Sequence, residues 1–400
     1  MLLEKILADS PNDGPLHVVP SLDSSTSPKP SDAYIMQGAT RERRVATYHL
    51  ILAPTHACNL RCQHCYLPDH AAQTIPKGTA LRLLHEWDEI AGDETPGRRG
   101  IFHVKGGEPL VYKPLSAMLQ AMHSLSHLHF MMTTNGTLFS RSHWQTLASL
   151  NEASDGAVTV IVSLDGASAA THQLLRGPDS FEPTMQALHG LRERGIRTYI
   201  NSVLHADNVH EIDSVIDLAL NLRIAQLNFL PFVPKGFGQD MRKRQLPHRL
   251  AYEKLRESYL RLSKCHRSLL AGSLPDIVTG ESNGSFTAAH ECVAAYRGLL
   301  YVKPDGHAYT CPNLEAKDYS VGSVHSASLR SILDGLPELY KNLHSDGKSD
   351  RYICMGERKL YEQMRSEATQ LTNLRVLQAD LSDNKKRVDE MSSFCVSRNW

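Results

Sequence analysis

Three cysteines crowd into eight positions of the segment THACNLRCQHCYLP, which holds Cys58, Cys62 and Cys65 in a C-x3-C-x2-C pattern. Thiolates this close can converge on one face of a compact inorganic cube. A [4Fe–4S] cluster ordinarily takes four cysteines, so three leave one iron open to chelate a substrate or cofactor. A structural zinc site is the competing chemistry. It wants four closed ligands, and His56, His64 or His70 could supply the fourth. A second set lies far along the chain, Cys292-x13-Gly306-x4-Cys311, with Cys354 beyond it. There VKPDGHAYTC reads as strand–turn–strand with Asp305-Gly306 as the turn, and a hairpin brings flanking cysteines toward one metal centre. Cys265 and Cys395 have no motif around them and read as structural.

The bulk composition sets the context for these thiols. The 400 residues are 41% hydrophobic and 22% charged, enough for a packed core. Lys plus Arg equals Asp plus Glu at 43 each, so the charge balance gives no reason to expect a nucleic acid or a membrane as partner. Glu4, Lys5 and Asp9 interrupt the first apolar run, and no later stretch is long enough to span a bilayer. The expectation is a cytoplasmic chain with reduced thiols.

The elements that must position the cysteines are legible in the apolar periodicity. Short β-branched runs occur at 48–53, 101–105, 129–134, 158–164, 197–203 and 226–232. Between them, apolar residues recur at helical spacing, as in Leu81, Leu84 and Trp87, or Ile212, Val215, Ile216 and Ala219. Gly195 sits where a helix C-cap belongs. Six strands alternating with helices imply a parallel α/β sheet. Pattern alone leaves a partial barrel and a doubly wound sheet both open. Residues 1–46 contain a Ser-, Pro- and Asp-rich stretch and read as a mobile arm. Residues 240–270 read as helical, 292–335 as a small β-rich unit followed by a helix, and 359–400 as a C-terminal helix.

The triplet followed by the aromatic Tyr66 resembles the signature of the radical S-adenosylmethionine (SAM) superfamily. Later segments repeat that family's order: KGGEPL with Gly106, Gly107, Glu108 and Pro109, TTNGT with Asn135, SLDG with Ser163 and Asp165, then Arg176 and Asn201. The resemblance implies that Cys58, Cys62 and Cys65 hold a [4Fe–4S] cluster and that SAM chelates the open iron. It implies that the GGEP segment binds the SAM amino group, that Ser163 and Arg176 contact its ribose or carboxylate, and that His64 lies near the adenine. The remaining polar residues, Asn135, Asp165 and Asn201, join this SAM-binding set. No catalytic acid or base is assigned.

The second set looks like the opening of the SPASM or twitch extension, departing from it where Glu357 replaces a cysteine after Cys354. One auxiliary cluster on Cys292, Cys311 and Cys354 is the resulting expectation. The implied fold is a partial (β/α)6 radical SAM barrel over residues 47–238, with linker helices and a twitch/SPASM-like unit over 239–358. The implied activity is oxidative modification, such as crosslinking, of a ribosomally made precursor peptide, with flavodoxin or ferredoxin as electron donor. A dehydrogenase or epimerase of a sugar or alcohol is the alternative within the family. A non-catalytic iron–sulfur or zinc protein is the alternative outside it.

Overall fold

The computed structural model describes residues 49–94, 99–232, 234–244, 248–263, 265–270, 299–312 and 319–344. The expected N-terminal arm, the C-terminal helix over 359–400, and Cys292, Cys354 and Cys395 lie outside these described residues.

The six expected strands form as β1 (His49–Leu52), β2 (Gly100–Val104), β3 (Leu128–Thr134), β4 (Val158–Ser163), β5 (Arg197–Leu204) and β6 (Gln226–Pro231). The intervening helices are α1 (Lys77–Glu94), α2 (Leu115–Ala121), α3 (Arg141–Ala153), α4 (Ala169–Arg176), α5 (Phe181–Glu193) and α6 (Ile212–Asn221). After β6 come a 3-10 segment (Gly236–Arg244) and α7 (His248–Arg261). The β-rich unit follows as β7 (Leu299–Val302), β8 (His307–Tyr309) and β9 (Gly322–Ser323), then α8 (Leu329–His344).

Strand order settles what the pattern left open. The sheet runs β6-β5-β4-β3-β2-β1-β7-β8-β9, and β1 to β6 pair parallel in unbroken sequence. A doubly wound sheet would reverse direction beside its first strand. This one adds every βα unit on the same side, which is how a barrel is wound. The C-terminal unit is continuous with that sheet, because β7 pairs parallel with β1, His49 opposite Leu299 and Leu52 opposite Val302.

The two faces of the sheet differ in kind. Leu50, Phe102, Phe130, Val158 and Leu300 point toward the helices and join Trp87, Leu115, Leu147 and Leu188 in the main core. Each large side chain buried there contributes about 1.5–3 kcal/mol. The alternate positions carry His49, His103, Thr133 and Thr159, which line the barrel interior.

The β7–β8 hairpin turns at Gly306, which adopts φ +80°. A Cβ there would sit 2.3 Å from the His325 ring, so both conformation and space call for glycine. Helix α8 is anchored on α1, where Leu329 N donates to Glu86 Oε2 at 2.7 Å and Arg330 pairs with Asp93 at 2.6 Å.

Candidate active site

The cysteine loop leaves the C-terminal end of β1 and is held by the chain following four other elements. From β2, Gly107 N donates to Thr55 O and Glu108 N to Ala57 O, both at 2.9 Å. From β3, Asn135 Nδ2 reaches Asn59 Oδ1 at 3.0 Å and Cys58 Sγ at 3.9 Å. At the end of α4, Leu175 O accepts from Gln63 N at 2.7 Å. After β6, Gly238 N donates to Cys65 O at 3.0 Å.

The glycines of KGGEPL make this packing possible. A Cβ on Gly107 would fall 2.2 Å from Ala57 O, and one on Gly106 would fall 2.5 Å from Thr55 O. Glycine without a Cβ lets another stretch of backbone approach closely. In the fold, that stretch is the backbone that leads into Cys58. Pro109 opens the 3-10 turn (Pro109–Val111) that follows and is buried.

Glu108 is 1% exposed, and internal donors occupy its carboxylate. Oε1 accepts from Thr134 Oγ1 at 2.6 Å and from Leu110 N at 3.0 Å, and Oε2 accepts from Asn135 N at 2.8 Å. Burial pushes its pKa up, against the pull of those hydrogen bonds. This carboxylate ties the β2 loop to the β3 loop, so backbone is what the segment offers a ligand.

A second group surrounds Asp165, which is fully buried. Its Oδ2 lies 2.6 Å from Arg176 Nε and 3.3 Å from His64 Nε2, while Oδ1 accepts from Val203 N at 2.8 Å. Burial alone would raise this carboxyl, but Arg176 and then His64 outweigh it and hold it at about 2. Desolvation drops His64 to about 4, so at neutral pH its ring is uncharged. Ser163, the last residue of β4, is the register partner of Asn201 within β5, and Asn228 Nδ2 donates to Asn201 Oδ1 at 2.8 Å.

The three thiols are half-buried, and desolvation raises the pKa of each, that of Cys62 to about 11. Thiolates in this position need a cation to form. Iron would supply one, and Arg176 opposes the rise at Cys62 and Cys65. Among the described residues, no three His, Cys, Asp or Glu side chains gather tightly enough for a single metal ion. Two buried nitrogens nearby, His64 Nδ1 and His172 Nε2, have no hydrogen-bond partner among the protein atoms and can face a bound ligand. Cys58, Cys62 and Cys65 therefore fit a [4Fe–4S] cluster, and the His64–Asp165–Arg176 group fits a polar cofactor beside it.

Sequence reasoning overlooked the interior row. Lys105 is buried at the end of β2, its ammonium 5.6 Å from the Tyr66 ring and 5.8 Å from the Tyr301 ring. His49 Nε2 lies 3.1 Å from His103 Nδ1, and His103 Nε2 lies 2.8 Å from Thr133 Oγ1. Burial, then the charge of Lys105, holds His49 near 3. The available signal was polar residues at alternate positions in otherwise apolar strands. Cys311 is buried just after β8. The other two cysteines of its expected set fall outside the described residues.

Residues 52–219 match the family model described as the Radical SAM superfamily. Over 189 residues the chain is 31% identical to an AdoMet-dependent heme synthase of Methanosarcina barkeri, a match covering 46% of this chain and 51% of that one. The chain thus spans about half the length of that relative. It is 29% identical over 297 residues to a PqqA peptide cyclase of Methylorubrum extorquens, covering 70% of this chain and 72% of the cyclase. SuiB of Streptococcus suis, solved bound to its precursor peptide SuiA, shares the fold with TM-score 0.55 and 19% identity, over 72% of this chain and 65% of SuiB. The enzyme anSMEcpe, solved with AdoMet and a peptide, shares it with TM-score 0.54 and 18% identity, over 72% and 80% of the two chains. No helix among the described residues is long and apolar enough to cross a membrane. With the ordered motifs, the one-way wound sheet and the cysteine loop at its C-terminal edge, residues 52–219 form a domain of the Radical SAM superfamily.

Proposed function

We propose that this protein is a radical SAM peptide maturase that oxidatively modifies, by crosslinking or a related step, side chains of a ribosomally made precursor peptide. The observation that carries this reading is the extent of the similarity to the peptide cyclase. Its 297 aligned residues are more than the matched family span of 52–219. Similarity to SuiB supports the fold that such a reading needs.

When bound, the cluster and SAM supply a 5′-deoxyadenosyl radical able to abstract hydrogen from an unactivated C–H bond. The chain's own residues bind, orient and shield. Cys58, Cys62 and Cys65 hold the cluster, and the Glu108 carboxylate fixes the β2 and β3 loops against them. Arg176, Ser163 and Asn201 present charge and hydrogen-bonding groups toward SAM, and His64 holds its place beside the adenine through Asp165.

Cys311 would share one auxiliary cluster with Cys292 and Cys354, giving the substrate radical an outlet for its electron. A flavodoxin or ferredoxin would reduce the first cluster, in the cytoplasm. The second reading is a small-molecule substrate, and similarity to the heme synthase supports it over less than half of the chain.

The test is anaerobic reconstitution, reduction, and incubation with SAM and short peptides encoded beside the gene. Mass spectrometry should find 5′-deoxyadenosine together with a peptide lighter by two hydrogens. Formation of 5′-deoxyadenosine with every such peptide returned unchanged rejects the peptide. Absence of 5′-deoxyadenosine throughout rejects the activity.

A further inference from the structure

We propose that the buried Arg176–Asp165 pair sets the reduction potential of the cluster on Cys58, Cys62 and Cys65, with Arg176 as the charge that favours the reduced state. The inference rests on the cluster assignment and is independent of the substrate.

The geometry builds this pair into the cysteine loop. Arg176 is the last residue of α4, and Leu175 before it accepts from Gln63 N at 2.7 Å. Leu174 O accepts from Gln63 Nε2 at 2.8 Å. The end of α4 is therefore fastened to the residue after Cys62. On its other side the pair meets the same loop again, because His64 Nε2 lies 3.3 Å from Asp165 Oδ2. The Arg176 side chain is 9% exposed and that of Asp165 is not exposed at all, so water screens neither charge well.

One-electron reduction adds negative charge to a centre already bound by three thiolates, and no bond changes in that step. A cation fixed in a low-dielectric surrounding favours it, since hydrogen bonding, charge and exposure around a cluster set its potential. Removing Arg176 would leave the Asp165 carboxylate unopposed beside the loop, which works against added negative charge, and removing Asp165 does the reverse. Arg61 offers a contrast, because it sits beside Cys62 but is exposed, donating to Cys58 O at 2.7 Å. Solvent and salt screen its charge.

The experiment is an EPR-monitored titration of the reconstituted full chain without SAM, with dithionite supplying the electron and iron counted for every variant. Leaving SAM out removes any contribution from a contact between Arg176 and that cofactor. Arg176→Gln should lower the potential by an amount equivalent to about a tenfold loss in the reduction equilibrium, about 59 mV for one electron. Arg176→Lys should restore most of it. Asp165→Asn should raise the potential, because the opposing charge is gone. Arg61→Gln should move it less, with the difference vanishing at high salt. An unchanged or raised potential in Arg176→Gln at wild-type iron content overturns the proposal. Should that variant fail to hold iron, an unchanged or lowered potential in Asp165→Asn overturns it instead. Formation of 5′-deoxyadenosine by the wild-type protein, assayed in parallel, tests the functional reading separately.

Discussion

Two cysteine-bearing regions meet on adjacent strands, and the fold treats them differently. The loop after β1 is fastened by hydrogen bonds from the chain following β2, β3 and β6 and from the end of α4. The hairpin beside it, β7 and β8, closes on a local turn, with Gly306 N donating to Lys303 O at 2.9 Å, and Cys311 follows β8. The first region is a junction, where chain segments up to about 180 residues apart converge on one short loop. The second is local. A junction can hold three sulfurs at fixed spacing against a reactive cofactor, whereas a hairpin presents one sulfur and relies on chain beyond it for more. Rigidity of this sort is what keeps a catalytic constellation in register.

The comparison breaks first on iron. Replacing Cys58, Cys62 and Cys65 together by alanine should abolish 5′-deoxyadenosine formation and leave about one four-iron cluster per chain. Adding Cys311→Ala should remove that remainder. Iron and sulfide analysis decides it, and zero iron in the triple variant would show that the hairpin region holds no cluster of its own.

The next effect is on stability. Glu108→Gln places an amide NH2 where the carboxylate accepts hydrogen bonds, leaving at least one buried donor opposed by another donor. It should cost about 2–4 kcal/mol in a urea or thermal melt. A loss below about 1 kcal/mol would mean that the junction does not depend on this carboxylate.

Acid sharpens the contrast at a similar scale. The Asp165 carboxyl is held at about 2, below its ordinary value of 3.8. Its contribution is therefore present above about pH 4 and lost as pH falls toward 2, a difference of about 2–3 kcal/mol. The acid limb of a stability profile should flatten in Asp165→Asn within that window. An unchanged limb would place the acid sensitivity elsewhere.

The smallest effect belongs to the hairpin. Gly306→Ala puts a side chain at φ +80° and against the His325 ring, so about 1–2 kcal/mol should be lost. Iron at the first site should stay unchanged, and coupled loss of that iron would show the two regions to be one cooperative unit.

Local features of the sequence were legible because they depend on neighbours a few residues apart. The C-x3-C-x2-C spacing, the alternation of strands with helices and the Asp305-Gly306 turn all fall within short windows, where the periodicities of strand and helix operate. The interior row was harder to read. His49, His103 and Thr133 sit on three strands, and only register brings them side by side. Likewise Glu108 reads as a ligand in GGEP, yet its three donors come from Leu110, Thr134 and Asn135, two of them on the next strand and its loop.

By itself, then, the sequence determined which residues are thiols, which segments are strands and which turns need glycine, since covalent geometry and local burial dictate these. Tertiary structure alone decided the order of the strands, the seating of β7 against β1, and the pairing of Asp165 with Arg176 and His64. The physical reason is that a buried charge takes its character from whatever the fold sets beside it, and in this chain those partners are distant along the backbone.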